Sequence, residues 1–214
     1  MRYRIALLLL GTTFMAAACG EPSQAARPEP TGLTGGWRTA GCEFHRETMT
    51  ITVNGRTTAA TPPNLEAAIA RIESGGRDRY AVSYAGIEVD QQNVRAIVYR
   101  VPSAAFDHFI RNSAEDTCIE VRDAPHSLAE LTTLHDRIAA DLPMWERRGI
   151  RIWTVGARHD GAGVEIGTED VERARQEMPT VYGAQAPLVF VEQGPVTPVL
   201  PSAPTIPPAP LPGG

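Results

Sequence analysis

The chain contains no lysine; all 20 of its cations are arginine, which biased genomic base composition explains without any function. No block of basic residues occurs and the net charge is −5, which argues against nucleic acid as a partner. No serine lies in Gly-x-Ser-x-Gly and Gly-Asp-Ser-Gly-Gly is missing, so no serine nucleophile has its usual context. The five histidines, His45, His108, His126, His135 and His159, have neither HExxH spacing nor a Cys-x-x-Cys partner, so no zinc site is indicated. His135-Asp136 on a helix and His159-Asp160 in a turn set a base beside an acid. Adjacent helical residues do not face each other and the second pair lies in a turn, so both read as solvated polar residues. Gly161 and Gly163 sit inside a hairpin, unlike a phosphate loop before a helix. Glu165, Glu169, Asp170 and Glu172 read as a solvated face, and Trp145 and Trp153 as core. The expectation is a protein that is not an enzyme and that takes no cofactor or metal.

The ends differ from the middle. Met1-Arg2-Tyr3-Arg4 is a positive start, Ile5 to Leu10 an apolar run, and Ala16-Ala17-Ala18-Cys19 small residues closed by a cysteine. Residues 1–18 read as a secretory signal peptide, too short in its apolar run to span a bilayer. The cleavage site resembles the lipobox of bacterial lipoproteins, with Ala at the first position where Leu is usual. That resemblance implies that Cys19 becomes the first mature residue and carries lipid on its thiol. The protein would then be secreted across the bacterial cytoplasmic membrane and anchored on its outer face. Residues 19–40 read as a flexible tether rich in Pro, Gly, Ser and Ala. Residues 194–214 read as a Pro-rich disordered tail favouring polyproline II. With Cys19 assigned to lipid, Cys42 and Cys118 remain as an even pair in an oxidising compartment. A disulfide is expected to tie the segment Cys42 to Val53, taken as a strand, to a later one. The alternatives are two free thiols, or a metal pair completed by a histidine.

Between these ends, helix and strand patterns alternate. Ser127-Leu128-Ala129-Glu130 fits a capping box, and Leu128, Leu131, Leu134, Ile138, Leu142 and Trp145 recur in steps of three and four, one face of a helix. Pro143 predicts a kink or restart, and Gly149 a left-handed helix end. Ile150 to Val155 reads as a strand, His159 to Gly163 as a turn and Val164-Glu165-Ile166 as a second strand. Thr168 with Glu169 and Asp170 reads as the cap and acidic first turn of a helix ending before Pro179. Leu188-Val189-Phe190-Val191 closes the series. An earlier stretch has the same order: a helix from Thr61-Pro62 to Gly75-Gly76, strands Tyr80 to Val89 and Val94 to Val101, a short helix capped by Ser103, and a strand at Cys118 to Val121. Asp90 and Asp160, Val94 and Val164, Val121 and Val191, and Pro125 and Pro195 lie seventy positions apart, and self-similarity at one offset suggests duplication. The expected fold is α+β: two tandem αββαβ units, 41–125 with an extra N-terminal strand and 126–193. Each is a small, mainly antiparallel sheet with helices on one face. Val82, Val98, Phe109, Leu131, Leu134, Ile138, Ile152, Val164, Ile166 and Phe190 are the expected core.

Ser127-Leu128-Ala129-Glu130-Leu131, Gly149-Ile150-Arg151-Ile152-Trp153, Val164-Glu165-Ile166, Tyr182-Gly183 and Val189-Phe190-Val191 together resemble the pro-regions of secreted serine proteases of the alpha-lytic protease and streptogrisin kind. Such pro-regions help the protease fold and then inhibit it. The resemblance covers about residues 127 to 195. It departs from the family after Val191, where a Pro-rich tail stands in place of a protease domain. The resemblance implies that Glu192, Gln193, Gly194, Pro195 and Val196, leaving the last strand, occupy a protease cleft. The expected function is a non-enzymatic cell-envelope lipoprotein that binds an extracellular protein, a secreted serine protease among the candidates. The alternative is a structural spacer whose Pro-rich tail contacts cell wall or a neighbour.

Overall fold

The computed structural model describes residues 35–114 and 116–195. Cys19, Val196, the signal peptide, most of the tether and nearly all of the Pro-rich tail lie outside the described residues. Within them the protein is mixed α+β, with five helices and three small, mostly antiparallel sheets. The chain begins with a short strand Trp37–Arg38 (β1), a 3-10 turn Ala40–Glu43, and a hairpin of Thr50–Val53 (β2) and Arg56–Ala59 (β3). Then come Pro63–Arg79 (α1), Tyr84–Asp90 (β4), Arg95–Arg100 (β5), Ala104–Ala114 (α2) and Ile119–Asp123 (β6). Leu128–Ala140 (α3), Leu142–Arg147 (α4), Ile152–Ala157 (β7), Val164–Thr168 (β8), Val171–Tyr182 (α5) and Leu188–Glu192 (β9) complete it.

Local chemistry fixes most helix ends. Ser127 Oγ accepts from the Glu130 N–H at 3.2 Å and caps α3. The helix breaks at Asp141, and Pro143 stands in the first turn of α4, where a missing N–H costs nothing. Gly149, at φ +79°, turns the chain out. Two helices run further than the sequence predicts. α1 continues through Gly75 and Gly76 to Arg79, because these glycines pack rather than terminate. A Cβ on Gly75 would collide with the Phe109 ring, and one on Gly76 would fall 2.6 Å from the Tyr84 ring. α5 is capped by Asp170, not Thr168, and passes through Pro179 to Tyr182. Its buried stripe of Ala174, Met178 and Tyr182 outweighs the one backbone bond that proline removes.

One sheet has the order β1-β6-β5-β4 and another β7-β8-β9. In both, a hairpin is followed by a helix and a strand that returns parallel to the hairpin's second strand. A helical crossover delivers the chain in the same direction, so the final pairing is parallel within sheets that are otherwise antiparallel. The registers correspond pair by pair. Tyr84↔Arg100, Gly86↔Tyr99 and Ile87↔Val98 match Ile152↔Thr168, Thr154↔Gly167 and Val155↔Ile166, and both hairpins carry a bulge after the first of these pairs. Val98↔Val121 matches Ile166↔Phe190. The shift between the sheets is therefore 68 positions for the hairpins and 69 for the closing strand. The identities seventy apart do not occupy matching places: Val164 corresponds to Ala96, not Val94, and Phe190 rather than Val191 corresponds to Val121.

Two apolar clusters form. One holds Leu65, Ile72, Tyr84, Val98, Phe106, Ile110, Ile119 and Val121; the other Leu131, Ile138, Trp145, Ile150, Val164, Ile166 and Met178. Of the expected core, Leu134, Ile152, Phe190 and Phe109 are half-buried against these clusters, and Val82 is 79 % exposed. Val82 lies in the turn after α1, since Tyr80 closes that helix and β4 starts only at Tyr84. The turn after β7 packs against β4. Gly86 admits the His159 carbonyl so closely that a Cβ there would collide with it, and His159 lies edge-on to Tyr99.

Trp37–Arg38, expected inside the tether, is a strand paired antiparallel to β6. Cys42 lies in the 3-10 turn rather than a strand, and Asn54-Gly55, both at positive φ, turn a separate hairpin.

Candidate functional site at the C-terminal strand

Cys42 and Cys118 form a disulfide. It ties the turn after β1 to the residue before β6. Closing 76 positions of chain stabilises by about 4 kcal/mol in the chain-entropy model. Thr39 adds to the same seam: its Oγ1 donates to the Thr117 carbonyl at 2.8 Å and accepts from the Ile119 N–H at 2.9 Å. The Thr39 N–H donates to the Ile119 carbonyl at 3.0 Å. Trp37 stands opposite Val121, and the Arg111 guanidinium of α2 lies 4.1 Å from its ring centroid. The outer edge of β6 is thereby closed.

β9, its counterpart, is different. It pairs with β8 on one side, and no described strand pairs with the other. The Pro187 carbonyl accepts from the Val164 N–H at 2.7 Å, and the Gln193 N–H donates to the Thr168 carbonyl at 3.0 Å. Alternation between these two contacts turns the backbone N–H and C=O groups of Val189 and Val191 towards β8, and those of Leu188, Phe190 and Glu192 outward. The Leu188 N–H is taken by the Ala186 carbonyl at 2.8 Å. The Phe190 and Glu192 N–H groups and the Leu188 and Phe190 carbonyls face the open edge.

Of the five residues expected to contact a partner, the structure places four. Glu192, Gly194 and Pro195 are exposed. Gln193 is not free to reach out, because Thr154 Oγ1 donates to its side-chain oxygen at 2.7 Å. Val196 lies outside the described residues. Thr154 and Thr168, which hold the exit of the chain, were not among the expected site residues. Thr154 pairs with Gly167 and Thr168 with Ile152, and Thr168 reads in the sequence as a helix cap, so no local signal marked the two as a site.

Other polar groups are engaged internally. Glu120 meets Arg38 at 3.0 Å, Arg95 at 2.8 Å and Arg122 at 2.7 Å. Burial alone would raise its carboxyl, but the Arg122 hydrogen bond and the charges of Arg122, Arg38 and Arg95 hold it below the usual range. In the second half burial likewise opposes, while hydrogen bonds from Arg158 and the Ala162 N–H hold Asp160 low. Arg158 also meets Glu165 at 2.8 Å. Buried Arg100 joins Asp107 and Asp123. Burial, with Glu73 nearby, pushes the Tyr84 hydroxyl up to about 12. His135 Nδ1 lies 2.9 Å from Asp136 Oδ1, so these helical neighbours do meet, contrary to the expectation, on the exposed surface. His159 instead faces Glu88 at 3.7 Å, while Asp160 turns to Arg158. Trp145 is buried and donates to the Tyr182 hydroxyl at 2.7 Å. Among the described residues no group of three or more His, Cys, Asp or Glu could hold a metal, and no helix is long and apolar enough to cross a membrane.

Compared with known proteins, the chain matches no family model, no curated protein and no solved structure.

Proposed function

We propose that this protein is a non-enzymatic, lipid-anchored module of the bacterial cell envelope that binds an extracellular protein through its C-terminal strand and the chain that follows. The reading takes residues 63–123 and 128–192 as two tandem αββαβ units, copies of one ancestral unit. The matching registers and bulges support it, and so does the shared stripe of buried residues on the second helix: Phe106, Ile110 and Ala114 in one, Ala174, Met178 and Tyr182 in the other. The observation that carries the binding role is the contrast at the closing strands: β6 is covered by β1 and fastened by a disulfide, while no described strand covers the outer edge of β9, which leads through Gln193 into exposed Gly194-Pro195. An open strand edge offers main-chain hydrogen bonds to an extended partner. Lipid on Cys19 would hold the module at the outer face of the membrane.

The partner class follows the resemblance to protease pro-regions. The test adds the purified protein to secreted serine proteases of the same cell. Slow inhibition, lost when residues after Glu192 are removed, supports the reading. Neither inhibition nor complex formation at about 50 µM, where ordinary specific interfaces are occupied, leaves the spacer role. That second reading rests on the Pro-rich composition of 194–214, which suits an extended contact with cell wall. Detergent partitioning of wild type against Cys19→Ala tests the anchor: wild type in the aqueous phase overturns it.

A further inference from the structure

We infer that the open edge of β9 is the contact between two copies of this chain, which pair β9 to β9 antiparallel about a two-fold axis at Phe190. The first half of the molecule shows what such an edge accepts. There an antiparallel strand lies along β6, its aromatic Trp37 opposite Val121 and under Arg111 of α2. The register carries Val121 onto Phe190, and the matching helix stripes carry Arg111 onto Pro179. The vacant place in the second half thus lies beside Phe190, next to a proline, and calls for an antiparallel strand with an aromatic residue at its centre.

β9 is itself such a strand. Setting Phe190 opposite Phe190 of a second copy places each aromatic ring where Trp37 stands relative to Val121. The two Phe190 residues then exchange N–H···O bonds, and each Glu192 N–H reaches a Leu188 carbonyl of the other copy. That makes four backbone hydrogen bonds, with Leu188 donors already satisfied by Ala186. None of the outward residues is proline; Pro187, on the opposite parity, turns its carbonyl to β8. Glu192 falls opposite Leu188, so no like charges face each other across the pair. The chain's own tail is a poor occupant, because Pro195, Pro198, Pro201 and Pro204 remove donors every third residue. Leu188-Val189-Phe190-Val191 is an uncharged, β-prone edge of the kind that folded proteins cover, and an isologous pair uses up both edges at once and stops there.

The experiment is sedimentation velocity on the full-length chain from about 1 to 300 µM, spanning the range of weak specific pairing. Wild type should pass from monomer to dimer and no further. Phe190→Pro removes the outward donor, and with it the ring packed on the second cluster, while the β8 ladder keeps its own donors, so it should raise the dimer dissociation constant at least tenfold. Phe190→Leu keeps the donor and should lose less. A register-specific pair covers the case in which Phe190→Pro does not fold. Leu188→Glu sets a carboxylate opposite each Glu192 and should weaken the dimer, Leu188→Lys should strengthen it, and Leu188→Glu with Glu192→Lys should restore it. Wild type that stays monomeric throughout overturns the proposal, as does a dimer indifferent to the charge at position 188. This outcome is separate from protease inhibition, which a monomer could still perform.

Discussion

The two halves share a strand plan and differ in how they finish it. The first closes its last strand with β1, Thr39 and a disulfide. In the second, no described strand pairs with the outer edge of the matching strand, and the chain leaves from its end. Their polar networks differ in the same sense. Glu120, on β6, is ringed by three arginines, of which Arg38 on β1 and Arg95 on β5 tie the strand to its neighbours, whereas β9 carries Val189 at the matching register position.

The largest expected effect tests whether the halves share one core quality. Trp145→Ala and Phe106→Ala each remove a fully buried ring and should cost about 3–5 kcal/mol, read by urea unfolding. A marked inequality would make one half a passenger on the other. Next is the disulfide. The Cys42→Ala, Cys118→Ala double variant should lose about 4 kcal/mol or somewhat less. Amide exchange should accelerate in β1 and β6 and stay slow in β7 and β8. Equal acceleration everywhere would mean the halves unfold as one unit.

A smaller effect belongs to the junction. Gly86→Ala forces a Cβ onto the His159 carbonyl and should cost about 1–3 kcal/mol. It should separate the unfolding of the halves into two calorimetric steps. The smallest is acid dependence. Glu120 and Asp160 both have folded-state pKa values below their ordinary range. Their stabilisation is complete above the unfolded pKa, about 4, and is lost as pH falls through the lower folded value. Stability should therefore fall below about pH 4 in both halves. Glu120→Gln should flatten that acid limb for the first half alone, as read by melting temperature from pH 2 to 7.

Much of the plan was legible before the structure, because capping and periodicity are local. Ser127-x-x-Glu130, the restart near Pro143 and the turn at Gly149 each act within one helix turn. What stayed hidden depends on contacts distant in sequence. Gly75-Gly76 looks like a helix end until Phe109 and Tyr84 are packed on it, and Pro179 looks like a stop until Met178 and Tyr182 are buried on the same helix. The parallel return of β6 and β9 is set by the crossover helix. The exception is Asn54-Gly55 between Thr- and Val-rich runs, a local hairpin signal that the sequence did offer. At the site, the exposed exit at Glu192 and Pro195 could be anticipated from composition. The covering of β6 by Trp37–Arg38 could not, since only two residues make the strand and its partner lies far along the chain.

The contrast between closed and open edges is tested most directly by residue-resolved amide hydrogen exchange in dilute solution, at about 1 µM, below the range of weak pairing. The Val189 and Val191 amides, turned to β8, should be protected, while Phe190 and Glu192 exchange close to the unstructured rate and the Val121 amide beneath β1 stays slow. At about 300 µM, or with a bound partner, Phe190 and Glu192 should become protected as well. Protection of Phe190 and Glu192 at 1 µM equal to that of Val121 would mean that the edge is already closed, and would contradict the account.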